Sequence, residues 1–333
     1  MKKRFKLIGL VIVIVLFTGC SKRVIETIAR PSLAPNSIKA DDNMAMEEQI
    51  LIISEDYEAN FNLFDSSKLS NPLGILCRKN DILIADGKLN TIFVYNYNGE
   101  IIKEIGKTGN GHLEFINPTG ITSYNDYIYV LDSLNYRIQI LDENLDFYSS
   151  IQLEELSQDP DKESFWYSDI MVRNENEIYV TTNERMKNFA KIYKISNQKE
   201  QSVWQEEFNG YGTIYEDMIY FALSYEFYAE GYKSGRSYFL SQNKNSEVNK
   251  YDVPYQFAPM DIVATDTELF VINSLYMSLE RYTLDGQYIE TMFIFSETLN
   301  NTFYFPKYLD MDEKGNIYIT ENDNVTIIKV NKK

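Results

Sequence analysis

The chain has 333 residues, 44% apolar and 24% charged, which excludes global disorder and allows a sizeable core. Its 49 acidic against 32 basic residues give a net charge of −17 and argue against nucleic-acid binding, which needs clustered cations on the phosphates. One His (His112) and two Cys (Cys20 and Cys77) exclude His-rich metal sites, thiolate zinc sites and a disulfide framework.

The N-terminus reads as an address. Lys2, Lys3, Arg4 and Lys6 precede an 11-residue apolar run, Leu7–Phe17, and then Thr18, Gly19 and Cys20. At about 1.5 Å per residue that run covers little more than half of a roughly 30 Å hydrocarbon core, so it fits a secretory signal and not a spanning helix. The junction resembles a bacterial lipobox, although Phe17 stands where that pattern usually has Leu. The resemblance implies cleavage after residue 19, lipidation of Cys20 and anchoring of the mature chain to a membrane. The anchor would hold it on the outer face of a plasma membrane, or on an outer membrane in a two-membrane bacterium. An ordinary signal peptide is the alternative. Losing residues 1–19 removes four basic residues and no acid, so the net charge of −17 becomes −21. Such a body is repelled by anionic headgroups, and the lipid alone would hold it there. Residues 20–49, with Pro31, Pro35 and Asp41–Asn43, read as the lipidated Cys and a flexible tether.

From residue 50 to 333 the chain repeats. Short apolar strands end at Asp86, Asp132, Thr182, Ala222, Asn273 and Glu321, spaced 46, 50, 40, 51 and 48 residues. Aromatic and β-branched residues dominate these strands, and turn signals at short intervals leave no helical period between them. Six units of this size predict an all-β, six-bladed β-propeller with four-stranded antiparallel blades. The last unit ends near Val330 without a fourth strand, while Tyr57–Phe64 has no blade of its own. The N-terminal segment is therefore expected to close the last blade and remove an exposed edge.

Gly106–Ile121, followed by Tyr127–Asp132 and Tyr136–Leu141, is similar to an NHL-type repeat. That pattern sets glycines, a Phe, a Pro-x-Gly-Ile strand, an aromatic-Val-x-Asp strand and an Arg-Ile-Gln strand in this order. The match is good over residues 99–151, fair over 72–98 and 258–330, and poor over 152–257. The resemblance implies a six-bladed propeller of the kind found in bacterial surface lipoproteins.

Few residues suggest chemistry. Asp169 and Asp261 stand where Gly74 and Gly120 stand in other units, at the start of the innermost strand. Their carboxylates either converge on the channel, where Ca²⁺ would be the matching cofactor, or cap their own backbone. Asp86 and Asp132 fit turn capping, Arg137 a brace to carbonyls or a carboxylate, His112 a solvated loop, and Cys77 an inert buried thiol. The glycines at 106, 109 and 111 match neither a Walker loop nor a Rossmann fingerprint. Tyr225, Phe227, Tyr228 and Tyr232 crowd a long connection in the fourth unit; they either form a ligand surface or pack on one another.

These features point to a monomeric, membrane-anchored binding or scaffold module for a protein, peptide or glycan, with no cofactor and no catalytic set. The alternative is a propeller hydrolase or lyase with a divalent metal in its channel.

Overall fold

The computed structural model describes residues 51–52, 54–60, 63–153, 165–184, 190–196, 199–202, 209–224, 237–245, 247–253, 258–274, 276–294, 306–321 and 326–333. After β1 (Leu51–Ile52) and β2 (Tyr57–Asn60) come six antiparallel sheets. Blade 1 is β3 (Pro72–Cys77), β4 (Ile82–Asp86), β5 (Thr91–Tyr95) and β6 (Ile101–Ile105). Blade 2 is β7 (Pro118–Tyr124), β8 (Tyr127–Asp132), β9 (Arg137–Leu141) and β10 (Phe147–Gln152). Blade 3 is β11 (Phe165–Asn174), β12 (Glu177–Glu184), β13 (Ala190–Ser196) and β14 (Lys199–Ser202). Blade 4 is β15 (Asn209–Tyr215), β16 (Met218–Ser224), β17 (Ser237–Gln242) and β18 (Val248–Val253). Blade 5 is β19 (Pro259–Ala264), β20 (Glu268–Asn273), β21 (Ser278–Thr283) and β22 (Tyr288–Ile294). Blade 6 has β23 (Pro306–Met311), β24 (Ile317–Glu321) and β25 (Thr326–Lys332).

The six repeat units thus become six blades, including units three and four, whose sequence grammar is weakest. Burial follows strand order. The second strands are buried almost throughout, as in β4 (Ile82 to Asp86) and β24 (Ile317 to Glu321), whereas the outermost β6, β10 and β18 are mostly exposed. A strand buried on both faces needs an unbroken apolar run, and Ile82-Leu83-Ile84-Ala85 supplies one. Ile82 and Ile84 pack toward blade 6, while Leu83 and Ala85 pack with Ile121, Ile128 and Val130 of blade 2. The same sharing joins blades 2 and 3 through Leu131 and Ile170, and blades 3 and 4 through Met171 and Phe221.

Each innermost strand packs against the next, and β23 returns to β3, so the ring is closed. The chain ends join in blade 6. β2 pairs antiparallel with β25, Tyr57 opposite Lys332 and Asn60 opposite Lys329. β1 adds a fifth strand to blade 5, with Leu51 opposite Ile294. Arg281 holds the segment between them: its guanidinium lies 5.7 Å from the Tyr57 ring centroid, 3.7 Å from Asp56 and 2.5 Å from Glu290. Ser54 Oγ donates to Glu290 at 3.1 Å.

Turn chemistry closes the hairpins as the sequence predicts. In the Asn96–Gly99 turn, Asn96 Oδ1 accepts the N–H groups of Asn98 and Glu100 at 3.0 Å each. Gly99 has φ +87°, and a Cβ there would overlap the Leu63 carbonyl, so only glycine fits.

Deleting residues 50–60 should cost about 3 kcal/mol or more, because it uncovers Tyr57's partners and leaves β25 as an open edge. Urea unfolding against the chain with these residues kept is the measurement; an equal midpoint would show that β25 needs no partner.

Candidate functional site

The innermost strands enclose a cavity of about 770 Å³ on the propeller axis. Its wall takes one stretch from each blade: Gly74–Cys77, Ile121–Tyr124, Asp169–Arg173, Gly212–Glu216, Asp261–Glu268 and Tyr308–Gly315. These strands run from the cavity floor to its mouth, where the turn residues Glu216, Asp266 and Glu313 are exposed.

One ring position sets the floor. Strand register aligns Gly74, Gly120, Asp169, Tyr211, Asp261 and Tyr308, each one residue before the partner of the second strand's central apolar residue. A Cβ at Gly120 would sit 3.0 Å from Ile170 N and 3.1 Å from Asp169 Cα, and one at Gly74 would overlap the Thr119 carbonyl. Blades 1 to 3 approach there backbone to backbone, which a side chain would prevent. The remaining positions carry side chains into the space. Tyr308 crosses it: its hydroxyl donates at 2.9 Å to the Ser168 carbonyl of blade 3, diametrically opposite. Its ring meets Tyr211 edge-on, with centroids 6.4 Å apart. The channel is thereby barred at its floor.

The carboxylates of the wall do structural work. Innermost strands have an unpaired edge whose N–H groups need acceptors. Asp261 Oδ1 accepts from its own neighbour Ile262 at 2.8 Å, and Oδ2 from Leu309 of blade 6 at 2.7 Å. Asp310 repeats this one blade on, accepting from Met311 at 2.8 Å and from Cys77 of blade 1 at 2.7 Å. Each strap ties two blades through charge-assisted bonds. Asp169 makes only half of one. It accepts from Ile170 at 2.8 Å, and among the described residues its second oxygen has no hydrogen-bond partner.

Burial raises all three carboxyls. It pushes Asp169 up to about 7 and Asp310 up to about 6, against the lowering pull of their N–H donors. Asp261 is also raised by burial, then by the Asp169 charge. The Tyr308 hydroxyl is pushed well up by burial, with Tyr211, Asp169 and Asp261 adding to the effect.

Charge on the wall is lopsided: eight acids against three bases. Arg173 of the wall is already held by Glu177 at 3.2 Å and by the Asp217 carbonyl, with its buried Nε unpartnered among the described residues. Glu268 is taken by Arg281 at 2.7 Å.

Of the other described residues singled out in the sequence, Cys77 stands in the cavity wall, and Asp86, Asp132, Arg137 and His112 do not line it. Asp86 accepts from Ser70, Asn71, Lys88 and Leu89, a wider cap than an Asx turn. Asp132 accepts the Ile116 N–H and pairs with Arg137 at 2.7 Å, and Arg137 also donates to the carbonyls of Asn110, Gly111 and Glu114. That set clamps the glycine loop between blades 1 and 2. His112 is exposed and stacks on Phe147 at 3.8 Å. Cys77 is partly buried, and burial holds its thiol well above the ordinary range. Cys20, Tyr225, Phe227, Tyr228 and Tyr232 lie outside the described residues. The strands bracketing the four aromatics end at Ser224 and Ser237, at the end of blade 4 away from the cavity mouth. Sequence reasoning found Asp169 and Asp261 but missed Asp310 and Tyr308. The replacement of glycine by Tyr at the ring position was the available signal.

Calcium would need about six to eight oxygen ligands. Asp261 and Asp310 direct both oxygens at backbone N–H groups, and among the described residues no three His, Cys, Asp or Glu side chains group to hold a metal ion. The floor does not fit Ca²⁺.

A family model described as 6-bladed beta-propeller (DUF5128) matches residues 64–261. No curated protein matches the chain. Among solved structures, a catalytically inactive virginiamycin B lyase from Staphylococcus aureus with quinupristin is 16% identical, at a TM-score of 0.52 over 82% of this chain and 99% of that one. The calcium-binding protein regucalcin from Agrobacterium tumefaciens is 9% identical, at 0.57 over 82% and 94%. A luciferin-regenerating enzyme is 11% identical, at 0.55 over 82% and 95%. At these identities the likeness is one of fold.

Asp169 also predicts a pH effect. An acid raised in the folded state stabilises below its unfolded value, and the stabilisation is lost as pH rises through the folded value. For Asp169 that window runs from 3.8 to about 7. Asp169→Asn carries no charge, so its melting temperature relative to the wild type should climb across this window and level off above it. A difference constant with pH would show that Asp169 does not titrate there.

Proposed function

Because the chain belongs to the 6-bladed beta-propeller family over residues 64–261, we propose that it is a lipid-anchored, extracytoplasmic binding propeller that takes a protein, peptide or glycan into its axial cavity. The observation that carries this reading is a cavity of about 770 Å³ with exposed acids at its mouth and Tyr308 across its floor. Ligand sites are concave spaces of about 300–1,000 Å³ with a few placed polar groups, and this one is built on a closed ring of sheets. Two of its floor carboxylates, Asp261 and Asp310, are engaged in tying blades together, which suits a rigid receptor more than an acid–base pair.

Cys20 is the anchor in this reading, and residues 20–49 are the tether that sets the body off the surface. The acidic body gains nothing from anionic lipid. The protein works as a monomer on the outer face of a plasma membrane, or on an outer membrane. Residues 99–151 support an NHL type of blade, and Tyr225, Phe227, Tyr228 and Tyr232 are assigned to a secondary contact. The competing reading, a hydrolase or lyase using a divalent ion, is favoured by the lyase among the structural neighbours.

Two experiments test this. In ligand screens with the mature chain, Thr213→Trp, which fills the wall from blade 4, should abolish binding at an unchanged melting temperature, while a chelator should leave both binding and melting as they were. A chelator-sensitive melt with a stoichiometric ion would favour the enzyme. Metabolic labelling with an alkyne fatty acid should mark the wild-type chain and not Cys20→Ser, which should leave the membrane fraction; an unlabelled wild type would remove the anchor.

A further inference from the structure

We propose that the ligand of the axial cavity is a basic peptide, with a lysine ammonium seated on Asp169. This deepens the reading of the cavity as the binding site and rests on it. The floor makes the argument first. Asp261 and Asp310 each spend both carboxylate oxygens on two blades' N–H groups, and Asp169, at the same kind of position, spends one. The strap from blade 3 to blade 4 is not made. One carboxylate oxygen at the bottom of the cavity is left for a donor from outside the chain. A buried carboxylate without a partner is costly, and an ammonium relieves that cost through a charge-assisted bond.

The path to that seat has the same sign. Glu216 on blade 4 and Asp266 on blade 5 are exposed at the mouth, and neither has a hydrogen bond or ion pair among the described residues. With Asp169 they form an acidic side spanning three consecutive blades. Lys314 and Lys332, whose ammonium groups have no ion pair among the described residues, stand on blade 6. Blade 6 sets these lysines beside its own exposed Glu313, whereas among the described residues the wall has no lysine on blades 3 to 5, so a cation is drawn to that side. Tyr215 beside Glu216 and Tyr308 at the floor add ring faces, which attract cations further. Outside the cavity the same chain pairs a cation with tyrosine and phenylalanine rings, where Arg281 sits 5.7 Å from the Tyr57 centroid and 5.8 Å from that of Phe270.

Depth points to a peptide and not to the side of a folded protein. From Gly212 at the floor to Glu216 at the mouth the strand rises four residues, roughly 13 Å at about 3.3 Å each. A lysine on a broad surface does not reach that far, so a chain end or a narrow loop has to enter.

Calorimetry on the mature chain tests the proposal with trilysine, trilysine acetylated on its side chains, triglutamate and chitotriose as probes. Trilysine should bind, and the acetylated and acidic peptides should not. Asp169→Asn should weaken trilysine by about 30-fold or more, as expected for removing one partner of a desolvated charge pair. Raising salt from about 0.05 to about 0.5 M should weaken the wild-type complex, which supplies a test free of any folding defect. Equal affinity for acetylated trilysine, or a trilysine affinity untouched by Asp169→Asn, overturns the proposal. If chitotriose alone binds and Thr213→Trp blocks it, the cavity stands as a site and the basic ligand falls. If no probe binds the wild type, the proposal is overturned as well.

Discussion

The structure depends on sheets whose two faces are both apolar. A four-stranded blade with Ile82, Leu83, Ile84 and Ala85 in one strand cannot be covered on one side only. Stacking blades radially covers both sides, and only a closed ring covers them for every blade. Closure is therefore a condition for burying the core and not a finishing detail. It explains why the chain recruits β2, far away in sequence, to complete the sheet that contains β25. It also explains why Arg281 gathers Asp56, Glu268 and Glu290 around itself beside Tyr57: the joint between the chain ends is pinned from blade 5.

Closing six sheets into a ring turns six innermost edges toward one axis. Those edges present N–H groups that the ladder does not use, and the protein answers in two ways. Where glycine holds the ring position, neighbouring backbones come together, as at Gly74 and Gly120. Where Asp holds it or sits two residues on, the carboxylate reaches across to the next blade, as at Asp261 and Asp310. The cavity is what remains between these solutions, and the straps account for two of its eight acids. Asp169 belongs chemically to the strap series but completes only its own half.

Much of the fold was legible because two-sided burial writes itself into short apolar runs at a fixed spacing. The strand ends near Asp86, Asp132, Asn273 and Glu321 match the structure to the residue. The closing strand was legible too, since a blade short of one strand and an orphan segment imply each other. β1 was not: two residues carry no periodicity, and their partner lies 240 residues away in β22. In the site, Asp169 and Asp261 were visible as acids where glycine was expected. Asp310 hid beside Asp312 in what reads as a turn, although Asp312 is the residue that caps it, accepting from Lys314 and Asn316. Tyr308 hid because a tyrosine in a strand looks like core. Whether a side chain of the innermost strand crosses the axis depends on the five other blades, and no single repeat contains that information.

The same ring position decides what kind of space the axis holds. Six glycines would leave an open tube, and six large residues would fill it. Two glycines, two carboxylates and two tyrosines leave a blind cavity, with Tyr308 reaching the Ser168 carbonyl across its floor and Tyr211 edge-on to its ring. Asp169 stands at this floor, and burial raises it to about 7 against the pull of the Ile170 N–H. Near neutral pH such a carboxyl is divided between its two forms, and a neighbouring cation favours the ionised one. A charge placed at the floor therefore acts on an acid that burial has already brought close to neutrality.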